Sequence, residues 1–372
     1  MKKNLFNLKI ATLAAGMLFS TAISAQFTAV TSGNWSSGAT WGGTAPSPTV
    51  SNQNITIPSG ITVDMDQDVT FSGLLNTFMV NGVLTNTTSN WILMTSGSLS
   101  GTGTVSISKL RLTSLSTLTF GGTLNLKSMS NSVASLAFAS IANITDTLEL
   151  ENGNLSLNTN GNLTMMTGST IKVGGGTMAI NSGVFNSSNA YNIMYVGINK
   201  TSGVEFNSTA IQHVYLNMND NTQSVKLGSN ATVNGTIYLQ KGMLDLNGKK
   251  ATLKGDLMIT SGAMFQSNGT SDMEIQGTGT LSSTLMFNSG SSMHDLTINR
   301  TATGQVKLGN ALSIGGNLNL MEGTMSVENG GNLAASSNST IHIEKGMLSL
   351  NSGTLNIKVF CSLIANAFNS HK

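Results

Sequence analysis

The sequence predicts an all-β chain coiled as a right-handed parallel β-helix, with about 23 residues and three strands per coil. Three observations predict it: a self-repeat, an even spacing of apolar pairs, and corners built from Gly, Asn, Ser and Thr. The repeat runs from Leu148 (L-E-L-E-N-G-N-L-S-L-N-T-N-G-N-L-T-M) to Leu318 (L-N-L-M-E-G-T-M-S-V-E-N-G-G-N-L-A-A), an offset of 170 residues. It keeps its phase through Ser169-Thr170-Ile171 against Ser339-Thr340-Ile341. A third copy lies 81 residues before the last, where Val225-Lys226-Leu227-Gly228 matches Val306-Lys307-Leu308-Gly309. Similarity of this kind marks stacked units rather than a globular enzyme core.

The apolar pairs give the period. Leu148/Leu150, Leu155/Leu157, Leu163/Met165, Ile171/Val173 and Met178/Ile180 each begin seven or eight residues after the last. Every third pair closes a turn, so Leu148 to Ile171 and Leu155 to Met178 are both 23 residues. Alternation at i, i+2 puts both side chains on one face of a strand, here the face turned to the bore. Gly and Asn supply the turn conformations between strands. Asn at equivalent corners can bond side chain to side chain along the stack.

Composition agrees. Charged residues are 9% and aromatics 5% of 372, with 41 Gly and only 3 Pro. A disordered chain carries more charge and Pro, and a helical bundle more Ala, Glu, Lys and Arg.

Residues 1–25 read as a signal peptide: Lys2, Lys3 and Lys9, then the apolar run from Ile10 to Phe19, then Ala22-Ile23-Ser24-Ala25 with cleavage expected before Gln26. Three of the 18 basic residues leave with it and none of the 16 acids, so 15 against 16 leaves a mature charge of −1. That excludes a basic field for nucleic acid or anionic lipid. No other apolar stretch is long enough to cross a membrane as a helix. Cys361 is the lone cysteine, so no internal disulfide forms.

Residues 26–50 are expected to cap the first coil, with Trp35 and Trp41 covering its apolar face and Pro46 and Pro48 ending regular structure. The other reading of the two Trp is a sugar-stacking platform. Residues 51–357 are the solenoid. The tail, 358–372, carries Phe360, Leu363, Ile364, Ala367 and Phe368 at helical spacing, which fits either a helical lid or a truncated end.

Candidate chemistry is sparse. Asp64, Asp66 and Asp68 alternate and face one way, but the run lacks the Gly and closing Glu of a calcium loop and reads as an acidic strand face. Gly101-Thr102-Gly103-Thr104 and Gly277-Thr278-Gly279-Thr280 lack the rest of any phosphate-loop pattern and read as corners. His294, Asp295 and Arg300 form the best enzymatic group, of the kind a polysaccharide lyase or hydrolase uses. His213 precedes His294 by the same offset as Val225 precedes Val306, inside the repeat register, which makes that position structural. We therefore expect no catalytic, cofactor or metal residues.

The lead-in W-x5-W-G-G-x-x-P (Trp35 to Pro46), followed by I-T-I-P-S-G-I-T-V-D (Ile55 to Asp64), resembles the start of the eight-glycine domain of secreted and surface β-helix proteins. The tract from Val225 to Gly248 resembles repeats of large exported adhesin-like proteins of Bacteroidetes-type bacteria. Asp146-Thr147-Leu148 resembles the O-glycosylation site of such bacteria. The sorting domain with which related proteins often end is not visible. The resemblance implies a secreted or cell-surface protein of a Gram-negative bacterium, adhesin-like or a structural stalk. A glycan or extracellular-matrix ligand is the expected partner, with a polysaccharide-degrading enzyme on the same scaffold as the alternative.

Overall fold

The computed structural model describes residues 25–260, 262–357 and 362–365. The signal-peptide reading of residues 1–24 lies outside them, as do Phe360, Cys361, Ala367 and Phe368. Every strand pairing among the described residues is parallel, and the coils stack into a β-solenoid of about 15 turns. At about 4.8 Å per coil the rod is about 70 Å long.

Three ladders run side by side through residues 147–186. There 147–150 pairs with Thr170–Val173, Asn154–Leu157 with Met178–Ile180, and Asn162–Met165 with Val184–Asn186. The same arrangement recurs near the C-terminal end. Gln305–Leu308, Thr324–Val327 and Met347–Leu350 form one ladder, and Ala311–Ile314, Asn332–Ala335 and Thr354–Ile357 a second. The third joins Asn317–Glu322 to Thr340–Ile343.

The alternation read from the sequence is the alternation of burial. Leu148, Leu150, Leu155, Leu157, Leu163, Met165, Ile171, Val173 and Met178 all lie in the bore. Each such side chain contributes about 1.5–3 kcal/mol on burial. Ile180 breaks the series at 43% exposed. The reason lies one coil on, where a 3₁₀ turn, Val204–Phe206, replaces the strand that would cover it, and the Asn154–Leu157/Met178–Ile180 ladder stops. Asn side chains join neighbouring coils as expected: Asn181 Nδ2 donates to Asn158 Oδ1 (3.1 Å), Asn143 Nδ2 to Asn125 Oδ1 (2.8 Å), and Asn356 Nδ2 to Asn332 Oδ1 (2.8 Å).

The period is not constant. Trp91 pairs with Lys109, Leu110 with Met129, and Met129 with Leu148. These steps are four or five residues shorter than the one from Leu148 to Ile171. In this stretch the chain turns corners without leaving extended backbone; one strand, Thr104–Phe120, runs 17 residues. Glycines permit the tightest of these corners. A Cβ on Gly103 would sit 2.0 Å from the Gly82 carbonyl oxygen, and one on Gly122 2.0 Å from that of Gly103.

The longest repeat is not a whole number of coils. The 147–150 strand belongs to a ladder that continues through Tyr191–Gly197, Ile211–Met218, Ile237–Lys241 and Leu257–Ile259. Leu318 lies in a different sheet, the one built from Ala231–Val233, Lys250–Leu253, Asp272–Gly277 and Asp295–Arg300. What repeats between Leu148 and Leu318 is therefore the strand with its corner, carried to another face of the rod. The shorter offset, from Val225 to Val306, also changes face: Val225 lies on the ladder of Ser224–Lys226, Met243–Asp245 and Met264–Gln266. Gln305–Leu308 instead follows Asp295–Arg300 directly, the place that Ile237–Lys241 takes after Ala231–Val233 of the same sheet.

The two ends differ from the sequence reading in detail. Segment 26–50 contributes coil strands of its own, since Ala25–Thr28 pairs with 53–56 and Gly33–Asn34 with 63–64. Trp35 and Trp41 are buried there, against each other (5.2 Å) and, for Trp35, against Phe78 (5.7 Å). At the other end, Leu363 and Ile364 are not helical: Ser362–Ala365 is a strand on Thr340–Ile343. The open edge of the preceding coil offers a row of backbone partners, and pairing with it overrides the local 3.6-residue pattern.

Candidate functional site

The ladder that carries 147–150 begins earlier, at Thr49–Val50, and passes through Val69–Phe71, 92–94 and 110–112. Its outward side holds a distinctive set of residues. The chain has three Trp and four Tyr. Trp35, Trp41, Tyr191 and Tyr195 are buried. The remaining three, Trp91, Tyr215 and Tyr238, are half-buried, and all face outward from this one ladder. Tyr215 and Tyr238 are register partners with stacked rings, 4.6 Å apart and 4° from parallel, and His213 lies beside them. Between Trp91 and the tyrosines run two ion pairs, Arg111 Nη2–Glu151 Oε2 (3.0 Å) and Lys172 Nζ–Glu149 Oε1 (2.6 Å). The sequence reading missed this row. A uniform period does not place Trp91 over Lys109, although Tyr215 and Tyr238 are one full period apart and were legible.

Asp64, Asp66 and Asp68 do not converge. Each carboxylate anchors a backbone N–H of an adjacent coil: Asp64 takes Thr87 (3.1 Å), Asp66 takes Ser36 (3.0 Å) and Asp68 takes Trp91 (3.0 Å). The acidic run is a set of fasteners.

The group His294, Asp295 and Arg300 is split by the structure. Arg300 is 2% exposed, and its guanidinium is spent on carbonyls. Nε donates to Gly279 (2.7 Å), Nη1 to Gly255 (2.9 Å) and Gln276 (2.6 Å), and Nη2 to Thr278. The Gly277-Thr278-Gly279-Thr280 corner is thus wrapped around a guanidinium, not a phosphate. Arg300→Lys should destabilise the chain by about 3 kcal/mol, because an ammonium cannot fork to carbonyls of successive coils and leaves several buried without donors. A denaturant midpoint unchanged by that substitution would show the clamp to be dispensable.

His294 keeps company with carboxylates instead. Its Nδ1 is 3.3 Å from Oδ1 of both Asp272 and Asp295, and the two Asp are register partners in adjacent coils. This is the one group among the described residues whose His and carboxylate atoms could hold a metal ion. Both Asp oxygens also accept backbone N–H, Asp272 from Asp295 (3.1 Å) and Asp295 from Asn317 (2.6 Å). His213 does not occupy the equivalent position, contrary to the register read from the sequence. It lies within the strand Ile211–Met218, whereas His294 is the corner between Ser292–Met293 and Asp295–Arg300. His213 Nδ1 accepts the Thr236 N–H (3.0 Å) and meets no carboxylate among the described residues.

A second feature absent from the sequence reading sits inside the bore. Glu205, on the 3₁₀ turn, is 2% exposed. Its Oε1 accepts the Tyr195 hydroxyl (2.7 Å) and the Gly203 N–H (2.8 Å), while Oε2 is buried without a partner. Tyr191 donates to the Glu205 carbonyl (2.7 Å). Burial pushes the Glu205 carboxyl up, and burial beside Glu205 pushes the Tyr195 hydroxyl up as well. Nearby, burial lowers the Lys200 ammonium to about 8, while Nζ donates to carbonyls of Val173, Gly174 and Val196.

No helix among the described residues is long and apolar enough to cross a membrane. The chain matches no protein family, no curated protein and no solved structure. What the ladders define is a class: a parallel β-solenoid, here with its outward Trp and Tyr on one ladder.

Proposed function

We propose that the protein is an exported, non-catalytic surface or extracellular solenoid, adhesin-like in action, that contacts glycans along the ladder carrying Trp91, Tyr215 and Tyr238. The observation that carries this reading is the segregation of outward Trp and Tyr onto a single sheet. Aromatic faces stack on the C–H faces of sugar rings, and half-buried rings are held in place for it. Six coil steps separate Trp91 from Tyr215, about 29 Å at the strand spacing. A polymer lying along the rod can touch both ends at once, so weak contacts add through avidity. The basic, then apolar, then small-residue pattern of residues 1–25 supports export.

The test is incubation of residues 26–372 with neutral and acidic polysaccharides, reading retention and new chain ends in the same tubes. Retention without new ends is expected, and the Tyr215→Ala/Tyr238→Ala double variant should weaken it about tenfold. The second reading, a polysaccharide-degrading enzyme, rests on the convergence of Asp272, His294 and Asp295. New chain ends lost in His294→Ala would establish it. Neither retention nor cleavage would leave a structural spacer.

A further inference from the structure

The outward row contains a depression beside Trp91, and its chemistry is narrower than that of a general sugar platform. A pocket of about 170 Å³ is lined by Trp91, Leu93, Lys109 and Arg111. The register explains it. Trp91 pairs with Lys109, and Leu93 with Arg111, so four long side chains stand as a two-by-two array on adjacent coils. The bordering positions are short: Thr70 pairs with Leu93 on one side, and Ser128 and Ser130 pair with Lys109 and Arg111 on the other. One coil thus offers an apolar wall and the next two cations.

Two carboxylates sit at the pocket's edge and are held by its own lining residues. Asp68 Oδ1 accepts the Trp91 N–H (3.0 Å), and Glu151 takes Arg111 Nη2 (3.0 Å) and the Ser132 hydroxyl. Lys109 and Arg111 are balanced at the pocket rim by Asp68 and Glu151, and Lys109 is the cation left outside any ion pair among the described residues. Three larger depressions, one at Asn162, Asn186 and Asn207, one at Ser313, Ser336 and Asn356 and one at Thr260, Ser283 and Met286, have no charged lining residue and select nothing by charge.

We propose that this pocket binds an acidic sugar of a polysaccharide, its ring against Trp91 and Leu93 and its carboxylate on Lys109 and Arg111. Charge-assisted bonds to a carboxylate supply the selectivity, and the aromatic wall supplies the contact that a bare ion lacks. The inference rests on the glycan-binding reading and deepens it by naming the ligand class.

The experiment compares binding of residues 26–372 to polygalacturonate, dextran sulfate and neutral dextran. Polygalacturonate should bind best. Lys109→Ala and Arg111→Gln should each lower its affinity about tenfold, the loss of one charge-assisted bond. Lys109 is exposed, so Lys109→Ala keeps the test valid if loss of the Arg111–Glu151 pair disturbs folding. Retention of neutral dextran alone would overturn the acidic ligand and leave glycan binding standing. Retention of none of the three would sink both. Tighter binding of dextran sulfate, or polygalacturonate binding indifferent to both substitutions, would overturn the carboxylate assignment.

Discussion

Trp35→Ala is expected to remove about 3–5 kcal/mol from the stability of the N-terminal coils. Trp35 is fully buried, meets Trp41 and Phe78 edge-on, and belongs to a cluster in which Phe71 and Phe78 also stack (5.2 Å). Its backbone carbonyl accepts the Trp41 indole N–H (2.7 Å), so the two rings hold each other in place. A solenoid is stable roughly as a sum of coils and nearest-neighbour interfaces, so the loss stays at one end. The end should fray while the middle of the rod survives. Limited proteolysis should therefore cut the variant N-terminal to about Val80 and leave a resistant remainder. Trp35→Phe provides the contrast. The Trp35 indole N–H is buried without an acceptor, and an orphan donor of that kind costs about 1–3 kcal/mol. Phe removes it while keeping most of the ring contact, so this variant should lie close to the wild type. Equal proteolytic resistance of Trp35→Ala and wild type would mean that the two Trp do not seal the first coil.

The period-2 apolar pairs made the solenoid legible because one face of each strand is wholly enclosed. Leu155 and Leu157 have nowhere to go but the bore, and a one-residue slip would turn both to water. The corners were less legible. A coil can shed four or five residues, as between Trp91 and Lys109, by turning without a loop, and nothing in a pattern of paired apolar residues forbids it. That variation decides which outward side chains meet, and so the pocket at Lys109 and Arg111 was invisible while the bore was not. The same logic separates Arg300 from the group in which the sequence places it. In sequence it stands near a His and an Asp, but a guanidinium is also the side chain best shaped to satisfy several carbonyls at a tight corner. Glu205 was illegible for a further reason: it occupies a position that only a break in the ladder turns inward.

Glu205→Gln should stabilise the protein, and by more at pH 8 than at pH 4. The folded carboxyl titrates above its unfolded value because burial disfavours the charge. A group shifted in that direction contributes its stability below the unfolded carboxylate pKa. The contribution is lost as pH rises through the raised folded value, since the unfolded chain releases its proton first. Gln mimics the protonated acid: its carbonyl oxygen can still accept from the Tyr195 hydroxyl and the Gly203 N–H. The titratable groups packed against the site are Tyr191 and Tyr195, whose hydroxyls burial pushes up, so neither ionises in this range. Ser202 and Ser208 add only neutral hydroxyls. The exposed and half-exposed carboxylates held low, such as Glu151 and Asp256, act in the opposite sense but identically in both proteins. Subtracting the two melting curves at each pH therefore isolates Glu205. The difference should be near zero at pH 4 and grow with pH to about 1–3 kcal/mol, the usual cost of a buried group left unsatisfied. A difference that stays flat across that range would mean the carboxylate is accommodated charged, and that the break in the ladder at Val204–Phe206 is built around an anion.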